Sequence, residues 1–462
     1  MQADTLEGFK SRLRGELIQP DHPGYDAARA MYNGMIDKRP ALIARCVDVA
    51  DVVAAVAFGR ESGLPLAIRG GGHSGPGLGG VDRGLVIDLS AMRGVRVDPE
   101  TRTVRVAAGC TSGDVDHATH AFGLAVPFGI IASTGVAGLT LGGGSGYLTR
   151  RHGLTIDNLL EADVVLADGR FVTASADRNA DLFWALRGGG GNFGVVTSFL
   201  FRAHPVSTVF AGPVFWDISH GRAVMQAFRD FQATAPEAFG GFVGLKSVPP
   251  TEPFPEAHWS RRACAVMACF DGSEAAGRAA MQPLLDGLPE PLFDWRQPLP
   301  FPALQSMFDP FFPAGLQWYW KGAFVSELPD AAIDAHIEQI LKAPTDLSLM
   351  HLYPVDGAAA RVPVADTAWP ARRARWSMVI AGVDPDPARA GKLRDWARGY
   401  WHALRPHSQE AGYVNFMMGE EDGGRIEATY GPHHDRLAAI KAKYDPGNLF
   451  RINHNIAPAT AS

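Results

Sequence analysis

The alternation of apolar and polar positions marks a series of short elements. Residues 66–69 and 85–89 are apolar runs of strand length. Residues 95–97 and 104–106 flank Asp98-Pro99-Glu100-Thr101 and predict a hairpin. Residues 162–167 and 171–174 flank Asp168-Gly169, a turn pair that hairpins favour, and predict a second. Asp48 and Asp51 loosely resemble a capping box that opens a helix running through Phe58, with Gly63 closing it. Residues 180–186 read as helix and 195–201 as strand.

The pattern changes near Ala203-His204-Pro205, where proline and aromatic residues become commoner. From there to about Ala411 the chain predicts a separate α+β unit. Its strands fall at 241–248, 264–270, 316–325, 347–353 and 376–383, and its helices at 273–285, 329–341 and 387–404. Residues 435–444 form an amphipathic helix with Leu437, Ile440 and Tyr444 on one face, and Asp445-Pro446-Gly447-Asn448 stops it.

At 462 residues the chain is long enough for roughly two or three structural units and a sealed pocket. A net charge of −6 with no Lys/Arg-rich run gives no footprint for nucleic acid. No apolar stretch approaches the roughly 18 residues that a membrane helix needs, and residues 1–20 lack the apolar core of a signal peptide. Cys46, Cys110, Cys264 and Cys269 are scattered, which suggests buried thiols in a reducing cytoplasm. His117, His120 and His152 have no accompanying carboxylate cluster, and His433 and His434 are adjacent rather than on one helix face, so no metal site is expected.

Gly70-x-Gly72-x-x-Gly75 and Gly189-x-Gly191-x-x-Gly194 formally match a dinucleotide fingerprint. That fingerprint needs a strand before it and a helix opening directly after it. The first match instead runs into Pro76-Gly77-Leu78-Gly79-Gly80, and the second follows a helix and feeds a strand. The common dinucleotide fold is therefore not expected. Three consecutive glycines can still bring bare N–H groups to a phosphate without a helix.

Four elements occur in order: Arg69-Gly70-Gly71-Gly72-His73-Ser74; Ser133 to Tyr147 with its repeated glycines; Leu186-Arg187-Gly188 through Val196; and Tyr413-Val414-Asn415-Phe416 with the tail Tyr444 to Arg451. Together they resemble the FAD-linked oxidases of the berberine-bridge-enzyme-like group, within the vanillyl-alcohol-oxidase (PCMH-type) superfamily. The resemblance implies an α+β fold with a two-part FAD-binding domain, residues 1–205 (core about 37–205) completed by 413–462. A substrate domain, 206–412, is inserted between them as an antiparallel sheet covered by helices.

The resemblance also assigns residues. His73 falls where the family bonds a ring nitrogen to the flavin. Arg69, Gly70, Gly71, Gly72, Ser74, Gly135, Gly138, Gly142, Tyr147, Val196 and Asn415 join it as expected FAD contacts. Thr134 and Leu139 fall on the side where oxygen approaches. A second link in relatives uses a cysteine whose register here is Ile131, so a single covalent bond is expected.

Oxidation of a C–H bond next to oxygen or nitrogen needs a base within hydrogen-bond reach of the heteroatom's proton. The resemblance brings Tyr413 and Asn415 to the active site; strand alternation would turn them to one side and Val414 to the other. His351 and Tyr353 are two apart on a predicted strand and share a face. Tyr353 stands roughly where relatives carry a catalytic carboxylate. Lys321, following Trp318 and Trp320, is placed to lower a neighbouring tyrosine's pKa. The expected activity is hydride transfer from a small alcohol, phenol or amine to FAD, with O₂ as acceptor giving H₂O₂, by a monomer or homodimer. A dehydrogenase with another acceptor and a flavin-binding protein without turnover are the alternatives.

Overall fold

The computed structural model describes residues 3–419 and 423–460. A parallel βαβ unit near the N-terminus delivers the glycine loop. Leu42–Arg45 leads into the helix Val49–Ser62, which returns to Leu66–Arg69; both strands pair in parallel with Leu85–Asp88 between them. Glu16–Ile18 adds an antiparallel edge. Asp48 caps the helix by accepting from Asp51 N–H, and Gly63 ends it in the left-handed region at φ 66°. The expected capping box is only half formed. The Asp51 carboxylate accepts from Arg14, Gly15 and Val47 N–H groups instead, tying down the chain that precedes the cap.

Both predicted hairpins belong to one antiparallel sheet. Its strand order is Val95–Asp98, Thr103–Ala107, Val195–Arg202, Leu159–Val165, Phe171–Ser175. The helix Ala180–Leu186 packs beside it, and the C-terminal helix His434–Tyr444 lies on that helix. Lys441, wholly buried, fastens the tail: its ammonium donates to Asp445 at 2.6 Å, to the Asn192 carbonyl at 2.6 Å and to the Phe450 carbonyl at 3.0 Å.

Residues 208–384 supply an eight-stranded antiparallel sheet. Its main path runs Phe293–Asp294, Thr208–Asp217, Arg262–Phe270, Phe242–Ser247, Leu349–Pro354, Trp376–Asp384, Gln317–Val325. Helices Gly221–Gln232, Glu274–Leu285, Asp330–Leu341 and Ala390–Leu404 pack against it and one another. The strand Thr208–Asp217 and the helix after it go beyond the sequence expectation. Gly212-Pro213 reads as a chain breaker, yet Gly212 sits in the strand because a Cβ there would lie 2.2 Å from the Trp295 carbonyl oxygen. The helix does carry a readable apolar face at Val224, Met225, Phe228 and Phe231.

One large apolar core unites residues 9–203 with 413–456 and also takes in Phe324, Val355 and Trp369 from the segment between them, and a second lies around the eight-stranded sheet. The four cysteines are buried free thiols. Among the described residues no helix is long and apolar enough to cross a membrane.

Candidate active site

A cavity separates the glycine loops from one face of the eight-stranded sheet. Gly70, Gly71 and Gly72 line it as the chain leaves the strand Leu66–Arg69. Here the absence of side chains is a packing requirement. A Cβ on Gly71 would lie 2.4 Å from Gly135 N, and one on Gly135 would lie 2.2 Å from Gly71 N. The two loops therefore meet backbone to backbone. Gly138 and Gly191 also line the cavity, and a Cβ on either would meet no neighbour within 4 Å. A wall of bare backbone suits a long phosphate-bearing cofactor, whose oxygens need N–H donors at close approach.

His73 follows at once and lines the same cavity. Its Nε2 pairs with Ser133 Oγ at 3.1 Å, and its ring stacks on Tyr32 with centroids 3.9 Å apart. Burial pushes its pKa down to about 4, so the ring is neutral at physiological pH. Tyr32 went unseen in the sequence because it lies far from every glycine motif. Its hydroxyl donates to the Phe312 carbonyl at 2.8 Å, which links the N-terminal segment to the sheet side of the cavity. Ser74, Ile131, Thr134, Gly135, Leu139, Gly142 and Val196 all line the cavity as well.

The opposite wall is set by strand alternation. Leu349, His351 and Tyr353 face the cavity from one strand, Val379 and Ala381 from the next, and Trp318 and Trp320 from the third. Gly244, paired with His351, makes room for it: a Cβ there would lie 2.6 Å from the imidazole. His351 Nδ1 and Tyr353 OH are 2.6 Å apart. Burial, reinforced by the charge of Lys246, holds His351 down to about 3, while burial alone pushes Tyr353 up. With the imidazole neutral and the phenol protonated, the hydroxyl donates to Nδ1 in the tautomer that carries its proton on Nε2.

Tyr413 and Asn415 reach the cavity by a different route from that expected. The segment is not a strand; Val414–Phe416 is a 3₁₀ turn, so alternation does not apply. The Tyr413 hydroxyl accepts from Gly144 N–H at 2.8 Å and from Asn415 Nδ2 at 2.9 Å. Asn415 Nδ2 also donates to the Leu139 carbonyl at 3.1 Å. Burial pushes Tyr413 up to about 12.

Three expected site residues stand outside the cavity. Arg69 turns its guanidinium to the carbonyls of Ala28, Arg29 and Gly79, so it braces the loop rather than lining it. Tyr147 packs into the second core, its ring 6.0 Å from that of Phe242. Lys321 occupies the other face of its strand from Trp320, and its ammonium lies 5.6 Å from the centre of the Trp401 ring on a covering helix. Among the described residues no group of three or more His, Cys, Asp or Glu side chains could hold a metal ion.

A backbone-lined cleft, a neutral histidine within it and a facing wall of aromatic and hydrogen-bonding side chains define a flavin-dependent oxidoreductase. Comparison with known proteins gives the same class. Residues 40–175 match the FAD binding domain family, and residues 412–457 match the berberine and berberine like family. The chain is 33% identical to an FAD-linked oxidoreductase of Dictyostelium discoideum, over 98% of this chain and 96% of that protein. It is 30% identical to (R)-6-hydroxynicotine oxidase of Paenarthrobacter nicotinovorans, over 96% and 97% of the two chains. The crystal structure of 6-hydroxy-D-nicotine oxidase from Arthrobacter nicotinovorans superposes with a TM-score of 0.87 at 26% identity, covering 97% of this chain and 98% of that one. The protein belongs to the berberine-bridge-enzyme-like family of FAD-linked oxidoreductases.

Proposed function

We propose that the protein is an oxidase that takes hydride from a small, flat organic alcohol, phenol or amine to an FAD bonded once, through His73, with O₂ as final acceptor. The observation that carries this reading is the neutral His73 ring, fixed by Tyr32 and Ser133 inside the cavity, with Ile131 where a thiol would be needed for a second bond. The residues present fit the cofactor. Gly70–72, Ser74, Gly135, Gly138, Gly142 and Val196 would hold it, with Asn415 and Tyr413 bracing the loop beneath. In this reading residues 1–205 and 413–462 carry the cofactor, and residues 206–412 carry the substrate face.

When bound, FAD supplies a two-electron acceptor that O₂ can reoxidise to give H₂O₂. The chain's own groups orient the substrate and manage its proton. The aromatic wall excludes water. Tyr353 stands in the cavity with its hydroxyl proton already shared with His351 Nδ1. As hydride leaves the adjacent carbon the substrate hydroxyl becomes strongly acidic, so Tyr353 can accept its proton and pass its own to the imidazole although burial keeps that ring weakly basic. Tyr413 accepts two hydrogen bonds and, among the described residues, has no base to which it could pass its own proton, so in this reading it positions the loop.

Two measurements test the reading. Photoreduced holoenzyme mixed with air should consume O₂ and yield H₂O₂; a reduced flavin stable in air rules out the oxidase. Acid precipitation should leave yellow protein, and the same treatment of His73→Ala should release all flavin. Yellow pellets from that variant would show a second attachment point and overturn the single bond.

A further inference from the structure

Lys246 projects from the side of the sheet that borders the cavity, behind the lining rather than in it, and no step above uses it. Lys246 shares a strand face with Phe242 and Gly244, and Gly244 is the register partner of His351. Only 8% of Lys246 is exposed. Its ammonium lies 5.5 Å from the centre of the Phe312 ring, and Phe312 lines the cavity. Among the described residues no carboxylate and no hydrogen-bond acceptor pairs with it. A largely buried charge without a partner is costly, and an anionic ligand would offset that cost.

A second, independent observation lies beside it. Trp318 packs against the same Phe312 ring, centroids 5.4 Å apart, and its indole Nε1 is buried with no acceptor. Trp320 Nε1, also on the cavity wall, is likewise without an acceptor. Each of these unpaired groups donates. Among the described residues no side chain accepts from Trp318 Nε1 or Trp320 Nε1, and the Phe312 ring lies against both Lys246 and Trp318.

We infer that the substrate is a flat organic acid whose carboxylate is held by Lys246, with Trp318 Nε1 as a neighbouring donor. The inference rests on the oxidase reading for its site and adds the charge of the substrate. An apolar ring fits the wall of Trp318, Phe312 and Leu349, and an anion supplies the partner that Lys246 lacks. Specificity would then follow from the cost of leaving the ammonium unpaired when a neutral analogue binds.

Calorimetric titration of the holoenzyme with benzoate and benzamide tests this. The two probes share shape and differ in charge. Benzoate is expected to bind and benzamide to bind much more weakly. Lys246→Met should weaken benzoate about thirtyfold or more, the range for removing one member of a buried charge pair, and should leave benzamide unchanged. Trp318→Phe should weaken benzoate by a smaller factor. Because Lys246→Met removes an uncompensated buried charge, it should fold with an equal or higher Tm. Equal binding of the two probes, or benzoate binding indifferent to Lys246→Met, overturns the inference. Oxygen consumption by the photoreduced holoenzyme reads the other question. A protein that selects benzoate but consumes no O₂ upholds the carboxylate site and sinks the oxidase; one that consumes O₂ without selecting benzoate does the reverse.

Discussion

Tyr32 lies against His73 with ring planes 17° apart, although the two belong to segments that no local motif connects. The stack fixes the plane of the imidazole, and within that plane Nε2 meets Ser133 Oγ. An aromatic pair of this kind contributes about 0.5–1.5 kcal/mol beyond its burial. Tyr32→Ala should therefore yield folded protein with a reduced fraction of acid-stable flavin, read from the absorbance of precipitated protein. Full covalent loading in that variant would show that the stack does not orient His73.

Tyr353→Phe removes the hydroxyl that bonds His351 while keeping the ring against Phe242. Stopped-flow flavin reduction by an oxidisable substrate should slow by about 10²–10⁴-fold, the usual worth of a positioned acid–base group. Substrate affinity should change far less. An equal loss in rate and affinity would make Tyr353 a binding group only.

Gly142 tests the loop bracing. A Cβ there would come within 2.2 Å of Asn415 Oδ1. Gly142→Ala should push Asn415 aside and strip one donor from the Tyr413 hydroxyl, so it should reproduce the flavin spectrum of Asn415→Ala. Leaving such buried donors unpaired costs about 1–3 kcal/mol. Two unrelated spectra would show that the contact is relieved elsewhere.

Acid should destabilise the protein from near neutrality. His336 is wholly buried, bonded through Nδ1 to Tyr400 OH at 2.8 Å, and burial pushes its pKa down to about 3. An unfolded histidine titrates near 6.5. As pH falls through that value the unfolded chain takes up a proton that the native ring refuses, so stability is full above about pH 6.5 and declines toward pH 3. His351 acts in the same direction. Urea midpoints should drop between pH 7 and pH 5, and His336→Gln should make that drop shallower. An unchanged slope would exclude His336 as a contributor.

Lys441→Met leaves Asp445 buried without its cation. Breaking a buried pair this way costs about 3–5 kcal/mol, and here it also frees the Asn192 and Phe450 carbonyls. The variant should show a markedly lower urea midpoint and easier proteolysis of its C-terminal tail. A midpoint within error of the parent would mean that the tail is held by apolar packing alone.

Strands and helices with a clean period were legible. The residues 317–325 and 376–384 are apolar runs of strand length, and the helix ending at Gly63 carries its own stop signal. The glycine loops were legible too, since a backbone that must approach another backbone tolerates only glycine. Tyr413 and Asn415 were found by resemblance, but their placement was not, because a 3₁₀ turn leaves no periodic trace in three residues. Arg69, Tyr147 and Lys321 were misplaced for one reason: sequence neighbours of a site residue point wherever local packing sends them.

The sequence by itself determined the cofactor class, the histidine that follows the glycines and the lack of a thiol at Ile131, because each depends on residue identity at a local position. Only the tertiary structure decided which side chains share the cavity. Tyr32 came to His73, Lys246 came to Phe312, and Lys321 went to the far face of its sheet. Those pairings join segments distant along the chain, and their partners are chosen by sheet register and core packing, which no local pattern encodes.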